Sequence, residues 1–175
     1  HSLTHSLTLS LSQEHKFASG LMEVTRADMA TLRPKKWLND EVLNFYFKLI
    51  MAKVLVKMED EGADHHDALL HNTFFYAKLM ENRRYRYANV RRWTRKHPKT
   101  DIFKLRVLLI PIHEGVHWTC ACAWMQEKRI CFYDSMGGSG RQHLQHIKQY
   151  IADEHMNKRG TELDMDDWEL TVESP

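Results

Sequence analysis

The chain has 175 residues, of which 43% are hydrophobic and 27% charged, and its formal net charge is +2 at pH 7. These values are ordinary for a soluble globular protein and are sufficient for one domain with a sizeable core. No run approaches the roughly 18 apolar residues of a membrane-spanning helix, so no membrane partner is expected. Three cysteines are too few for a disulfide framework and indicate a reducing, intracellular compartment.

The two ends of the sequence are unusual. The opening stretch, HSLTHSLTLSLS, repeats with a period of four and lacks the apolar segment and cleavage site of a signal peptide. We expect residues 1–18 to be disordered or an artefact because their complexity is low. The last stretch, WELTVESP, has no closing helix, so the sequence is expected to be a fragment.

Two helices are predicted first along the chain. In VTRADMATLRP, Thr25 is a candidate N-cap, Asp28 completes a capping-box pattern and Pro34 marks the end. In WLNDEVLNFYFKLIMAKVLVKMED, Asn39 or Asp40 caps the helix, and acidic residues occupy its positive end. The wide apolar face of this second segment is typical of a core helix.

The remaining elements alternate in type. A polar loop, EDEGADHHD, precedes two shorter helices, TFFYAKLMEN and ANVRRWTRKH, which end near Pro98. The apolar run 103–113 predicts a buried central strand, and residues 117–125 and 130–134 predict a hairpin around MQEKR. A helix follows with Gly160 as its C-cap, and DWELTV reads as a last strand. This order predicts an α+β fold.

Alternation along the first hairpin strand separates two faces. The histidine face carries His117, Thr119, Ala121 and Ala123, and the cysteine face carries Trp118, Cys120, Cys122 and Trp124. With an even-length turn, His117 shares its face with Ile130, Phe132 and Asp134. A tight turn at Met125-Gln126 would place His117 directly opposite Asp134, with their Cβ atoms about 4.5–5.5 Å apart, whereas a later turn would stagger them.

An aspartate beside a histidine has a definite chemical role. It accepts the Nδ1 proton, fixes the tautomer and stabilises the imidazolium, so His117 and Asp134 are candidate catalytic residues. A structural histidine is an equally good interpretation from the pattern alone. The cysteines point away from this pair, so none is a suitable thiolate partner for His117, and buried packing is their favoured role.

Two other interpretations use the same part of the chain. His113, His117, Cys120 and Cys122 can be written as a zinc pattern, but we expect no metal because a strand would send the two histidines and the two cysteines to opposite faces. The segment RRYRYANVRRWTRKHPK interleaves basic and aromatic residues, as nucleic-acid-binding segments do. A solvated basic helix face is the favoured alternative, and nucleic-acid binding would fall steeply with salt.

The combination of LRPKKWLNDEVLNFYFKLI, NTFFYAKL, VRRWTRK, LLIPIHEGVHW and CFYDSMGG resembles the SUMO/sentrin-specific, ubiquitin-like-modifier protease family of cysteine peptidases. The blocks occur in the family's order and cover about residues 21–172. The resemblance implies a papain-like α+β fold, with a central mixed sheet flanked by helices and its C-terminal part missing. Residues 19–175 would then be the N-terminal major part of a catalytic domain.

The resemblance also implies roles for site residues. His117 resembles the general base and Asp134 the residue that orients it. Trp37 and Trp118 resemble two indoles that enclose the Gly-Gly tail of the modifier, which suits a flat tunnel that excludes bulkier tails. Asp40 resembles an acidic contact to the modifier, and His113 lies where the family lines its tunnel. From pattern alone, Trp37 also fits packing at a helix start.

One family feature is missing from the sequence. The family's nucleophile lies in a Gln…Asp-Cys-Gly segment after the last strand, and no such segment occurs here. We therefore expect this fragment to be inactive and its parent to process SUMO precursors and deconjugate SUMO from lysines. The alternative is a catalytically dead module that binds a ubiquitin-like modifier. The resemblance implies a monomer without cofactor or nucleic-acid partner, located in the nucleus or at its envelope, with the cytoplasm as the alternative.

Overall fold

The structure, a computed structural model, describes residues 24–61, 67–96 and 100–173. The expectation for residues 1–18, most of the predicted polar loop and the stop at Pro98 lie outside these ranges. The chain divides into two compact units, residues 1–52 and 53–175, and each is described by itself. In the described part of the chain, no helix is both long and apolar enough to span a membrane.

The first unit begins with the predicted capping box. Helix α1, Arg26–Met29, starts at Thr25, whose hydroxyl accepts the Asp28 backbone N–H at 3.2 Å. In return the Asp28 carboxylate accepts the Thr25 backbone N–H at 3.0 Å, so two of the unpaired donors of the helix start are satisfied. A 3-10 turn, Ala30–Leu32, continues the helix and ends it before Pro34.

Helix α2, Asp40–Glu61, crosses from the first unit into the second. The Asn39 side chain accepts the Val42 backbone N–H at 3.1 Å, so the N-cap is Asn39 rather than Asp40. The Asn39 amide also donates to Asp28 at 2.7 Å and thereby ties the start of α2 to α1. At its other end α2 ends at Glu61, one residue beyond the predicted segment.

The second unit contains several short helical segments between residues 74 and 104. The helical segments are α3 (Phe74–Leu79), α4 (Tyr87–Val90) and three 3-10 turns at Glu81–Arg83, Trp93–Lys96 and Ile102–Lys104. The predicted strand at 103–113 therefore begins later, at Val107, because Asp101 caps the last of these turns by accepting the Phe103 N–H at 3.1 Å.

Five strands form one mixed sheet in the order β1-β2-β3-β4-β5. Their bounds are β1 Ala68–Leu70, β2 Val107–Glu114, β3 His117–Trp124, β4 Arg129–Tyr133 and β5 Glu169–Glu173. The central three strands are antiparallel, whereas β1 pairs parallel with β2 and β5 parallel with β4. The expected mixed sheet is confirmed. Strand β1 was missed because three residues are too short to show alternation.

The histidine face of the sheet forms the core. Its side chains in β2, β3 and β4 are almost completely buried: Leu108, Ile110, Ile112, Ala121, Ala123, Ile130 and Phe132. Helix α5, Arg141–Arg159, packs against β4, and α3 packs against β2. Burying each large apolar side chain stabilises the fold by about 1.5–3 kcal/mol. The C-cap at Gly160 is confirmed, with a left-handed φ of 72°.

The basic segment from 83 to 95 is not one helix face. Its two tyrosines point inward, where the Tyr85 hydroxyl donates to Asp153 at 2.6 Å and the Tyr87 hydroxyl donates to Glu154 at 2.5 Å. Its six arginines are all exposed. With its tyrosines facing the protein interior and its arginines facing solvent, the segment fits a solvated basic surface. The expected absence of a nucleic-acid partner stays a prediction.

Candidate active site

His117 is the first residue of β3 and follows a two-residue loop. Glu114 at the end of β2 pairs directly with His117, and Gly115 opens the loop with a φ of 65°. A positive φ is costly for residues with a Cβ atom but not for glycine, so glycine permits this short reversal. The His117 side chain is 20% exposed, which leaves the imidazole accessible at the end of the sheet.

The β3–β4 register is staggered at the end that carries His117. The four-residue loop 125–128 pairs Trp124 with Arg129, and the pairing ends at Cys120 and Tyr133. Ala121 pairs with Phe132, so the expected assignment of His117 and Asp134 to one face is confirmed. The tight turn at Met125-Gln126 is not formed, and Asp134 lies just after β4.

The two candidate catalytic side chains are in direct contact. His117 Nε2 lies 2.5 Å from Asp134 Oδ1, and we call this contact the dyad. The expectation that Asp134 accepts the Nδ1 proton is wrong, because the carboxylate is in contact with Nε2. With Nε2–H donated to Asp134, a neutral His117 keeps the Nδ1 lone pair as a proton acceptor.

The Asp134 carboxylate is held by the turn that follows it. Its Oδ1 accepts the Met136 backbone N–H at 2.8 Å, and its Oδ2 accepts the Gly138 backbone N–H at 2.8 Å. A Cβ atom at Gly138 would overlap Oδ2, so the close approach requires glycine. The hydrogen bond from His117, and next that from Met136, lower the pKa of Asp134 below its ordinary value.

A pH dependence of stability follows from this lowered pKa. The ionised carboxylate stabilises the fold fully above the ordinary pKa of 3.8, and this stabilisation is lost as the pH falls from 3.8 through the folded-state pKa. We expect Asp134→Asn to unfold at lower urea concentration than the wild type at pH 7, with a difference that shrinks below pH 3.8. Urea unfolding at a series of pH values measures this difference.

The exposed carboxylate of Glu162 offers the control for that series. Glu162→Gln should leave the midpoint of unfolding close to that of the wild type throughout. A difference between Asp134→Asn and the wild type that stayed constant down to pH 3 would show that ionised Asp134 does not stabilise the fold.

The three cysteines lie away from the dyad. Cys120 and Cys122 are on the cysteine face, and Cys131 pairs directly with Cys122. The Sγ atoms of Cys120 and Cys122 are 4.0 Å apart, and all three thiols are free. The hydrogen bond with Cys122, followed by burial, raises the pKa of Cys120, which disfavours its thiolate. The expected packing role fits these positions.

Trp118 lies on the expected face of the sheet, whereas His113 does not. His113 was expected on the same face as His117, but it lies on the cysteine face because the two-residue loop pairs it with Trp118. Their rings stack with centroids 4.2 Å apart. Among the residues that the structure describes, no three His, Cys, Asp or Glu side chains are grouped as metal ligands.

Trp37 and Asp40 belong to the first unit. Trp37 is 67% exposed, which argues against the packing interpretation of this residue. Asp40 is half-buried as the first residue of α2, at the positive end of the helix dipole. Their expected contacts with a modifier stay predictions.

Sequence reasoning missed the groups that hold the dyad in place. The backbone amides of Met136 and Gly138 carry no side-chain signal, although the turn-forming sequence DSMGG after a strand is typical of an aspartate that accepts nearby backbone N–H groups. The contact between Glu114 and His143, at 2.9 Å, joins residues 29 apart in sequence. No periodic pattern predicts such a pair.

The mixed sheet and its flanking helices form an α+β domain with the histidine–carboxylate dyad at one end of its central strands. The chain belongs to the Ulp1 protease family, whose C-terminal catalytic domain matches residues 36–175.

Among its relatives, the Sentrin-specific protease of Caenorhabditis elegans is 34% identical over 85% of this chain, and Sentrin-specific protease 2 of Mus musculus is 35% identical over 84%. The chain spans only 20% and 23% of the lengths of these two proteins.

Solved structures of related proteases share the fold. The SUMO protease Ulp1 with its catalytic cysteine oxidised to a sulfenic acid superposes with a TM-score of 0.74 at 26% identity, over 99% of this chain and 71% of that chain. The C-terminal Ulp1 protease domain in complex with Smt3, the yeast ortholog of SUMO, gives a TM-score of 0.71 at 25% identity, over 97% and 72%. The expected papain-like fold is confirmed by these neighbours.

Proposed function

We propose that this chain is the base-bearing part of a SUMO-specific cysteine protease, which processes SUMO precursors and releases SUMO from lysines after Gly-Gly. The dyad carries the proposal, because His117 is oriented by a buried carboxylate and keeps Nδ1 as a proton acceptor. The names of the sentrin-specific relatives and the Ulp1–Smt3 complex support SUMO as the modifier.

The proposed mechanism uses both nitrogens of His117. Nδ1 takes the proton of a cysteine thiol, while Nε2–H remains donated to Asp134, which stabilises the imidazolium. The thiolate attacks the carbonyl carbon of the second glycine and forms a tetrahedral intermediate. His117 then gives its proton to the leaving lysine amine, and the acyl-enzyme forms. Water, deprotonated by His117, attacks the acyl carbon and releases the thiol and the modifier's carboxylate.

The thiol in this mechanism comes from outside the 175 residues. Cys120, Cys122 and Cys131 are the only cysteines of the sequence, and they lie on the face opposite His117. For the same reason we propose that residues 1–175 alone do not cleave SUMO. A catalytically dead SUMO-binding module is the second candidate, and the orientation of these three thiols is the observation that favours it.

Recognition of the modifier is proposed to use both units. In the first unit, Trp37 would contact the Gly-Gly tail and Asp40 would contact a basic residue of SUMO. In the second unit, Trp118 and His113 would contact the Gly-Gly tail. The exposed Trp37 and the stacked pair of His113 and Trp118 supply flat aromatic surfaces suited to a tail without side chains. The nuclear location of the protein stays a prediction.

A SUMO molecule with a C-terminal electrophile tests the proposal. We expect the full-length protein that contains these residues to form a covalent adduct with this probe, and to release SUMO from an isopeptide-linked substrate. Residues 1–175 should form no adduct, and a ubiquitin probe with the same electrophile is the control for the modifier. If the full-length protein binds SUMO without forming the adduct, the binding-module candidate is correct and the protease proposal is wrong.

A further inference from the structure

The end of β3 that carries His117 has limited support from the sheet. The pairing of β3 with β4 covers only Cys120–Trp124, whereas His117, Trp118 and Thr119 pair only with β2. The partner of His117 in that pairing is Glu114, the last residue of β2. The position of His117 relative to Asp134 therefore depends on how the β2–β3 loop end is held.

Helix α5 contacts this end through the Glu114 side chain, which is 57% exposed. His143 Nε2 lies 2.9 Å from Glu114 Oε1 across 29 residues of sequence. His143 belongs to the first turn of α5, which follows directly after the loop that carries Asp134 and Gly138. The contact thus joins the end of β2, which pairs with His117, to the start of α5, which follows the loop that carries Asp134.

The His143 side chain is itself fixed by packing. Its ring stacks on the buried Phe132 ring with centroids 4.9 Å apart and an interplanar angle of 9°, and it lies against Tyr76 at 5.4 Å. The side chain is 14% exposed, and its Nδ1 has no hydrogen-bond partner within the described ranges. Donation of Nε2–H to Glu114 suits this position, because Nε2 is the ring nitrogen that has an acceptor beside it.

We propose that Glu114 and His143 form a positioning pair, which sets the geometry of the His117–Asp134 dyad without touching the substrate. Directly paired residues share a face, so Glu114 lies on the histidine face beside His117. The hydrogen bond to His143 directs its carboxylate toward α5. The inference rests on the proposed function only for its effect on rate, since the geometry of the dyad can be observed without catalysis.

The test begins with residues 1–175, whose dyad is complete. Proton NMR should show the shared proton of the short His117–Asp134 hydrogen bond as a far-downfield resonance. We expect Glu114→Ala and His143→Ala each to broaden or remove this resonance. His143→Gln should retain it, because an amide N–H can replace the donated Nε2–H. His155→Ala is the matched control on the same helix, because His155 bonds to the Thr161 carbonyl, away from the dyad.

The second readout is the rate of adduct formation by the full-length protein with the SUMO electrophile. Each alanine variant should lower the maximal rate about tenfold, with little change in the probe concentration at half-saturation, because misplacement of a base by a fraction of an ångström slows chemistry more than binding. The double variant should be no slower than either single variant, since both remove the same contact. Thermal unfolding separates this effect from a loss of folded protein.

Three results would overturn the positioning pair. These are an unchanged dyad resonance in His143→Ala, additive effects in the double variant, and a rate loss in Glu114→Ala alone, which would mean that Glu114 acts on His117 directly. If the full-length protein forms no adduct while the resonance responds as expected, the proposed function fails and the positioning pair stands.

Discussion

His117→Ala in the full-length protein is expected to lower the rate of adduct formation with the SUMO electrophile by about 100- to 10,000-fold, the usual contribution of a general base. The reason is geometric as well as chemical. The imidazole is in contact with the buried Asp134 carboxylate at 2.5 Å, and no other described histidine shares that contact. Without the ring, the thiol would have to ionise in water before it could attack.

Some stability should also be lost in this variant, because the buried Asp134 carboxylate loses the hydrogen bond from His117 that most lowers its pKa. Thermal unfolding of His117→Ala therefore checks that the loss of rate is chemical. His155→Ala should react at the wild-type rate. A His117→Ala protein that still forms the adduct within about tenfold of the wild-type rate would remove His117 from the role of base.

Gly140→Ala is expected to destabilise the second unit by about 2–5 kcal/mol, or roughly 5–15 °C in Tm. Gly140 precedes α5 with a φ of 57°, where a side chain costs about 1–2 kcal/mol. A Cβ atom there would also meet three ring carbons of Phe132 within 2.8 Å. Phe132 is 1% exposed and stacks on His143, so its ring cannot move without disturbing the core.

Gly160→Ala separates the two causes. Gly160 has a similar φ of 72°, but a Cβ atom there would have no neighbour within 4 Å. In this variant, only the cost of placing a side chain in the left-handed backbone conformation should remain, about 1–2 kcal/mol. Urea unfolding of both variants measures the difference. Equal losses of free energy would show that the Phe132 ring accommodates the methyl group and that packing is not the cause.

Local patterns were sufficient to predict most elements of the fold. The capping box at Thr25, the helix that ends at Gly160 and the central strands all depend on residues close in sequence. Strand β1 could not be predicted in this way, because a three-residue strand gains its identity from pairing with β2. The late start of β2 reflects a side-chain cap at Asp101 that competes with extended structure.

In the candidate site too, only the features that depend on local sequence patterns could be predicted. Alternation with a period of two was enough to place His117 and Asp134 on one face and the cysteines on the other. It could not predict which nitrogen of His117 meets the carboxylate, because that depends on the rotation of the imidazole ring and not on the face of the strand. The position of His113 was wrong because alternation was continued through a two-residue reversal that exchanges the faces.

The central antiparallel strands also have a consequence for folding order. His117 and Asp134 are 17 residues apart and meet within consecutive strands joined by short loops, so their contact closes at a small cost in chain entropy. The outer strands join by parallel pairing across helical crossovers, which is slower to form. We therefore expect the dyad to form in the early, local part of the folding reaction. Under the proposed function, the thiol would join this site only after the base and its carboxylate are in place.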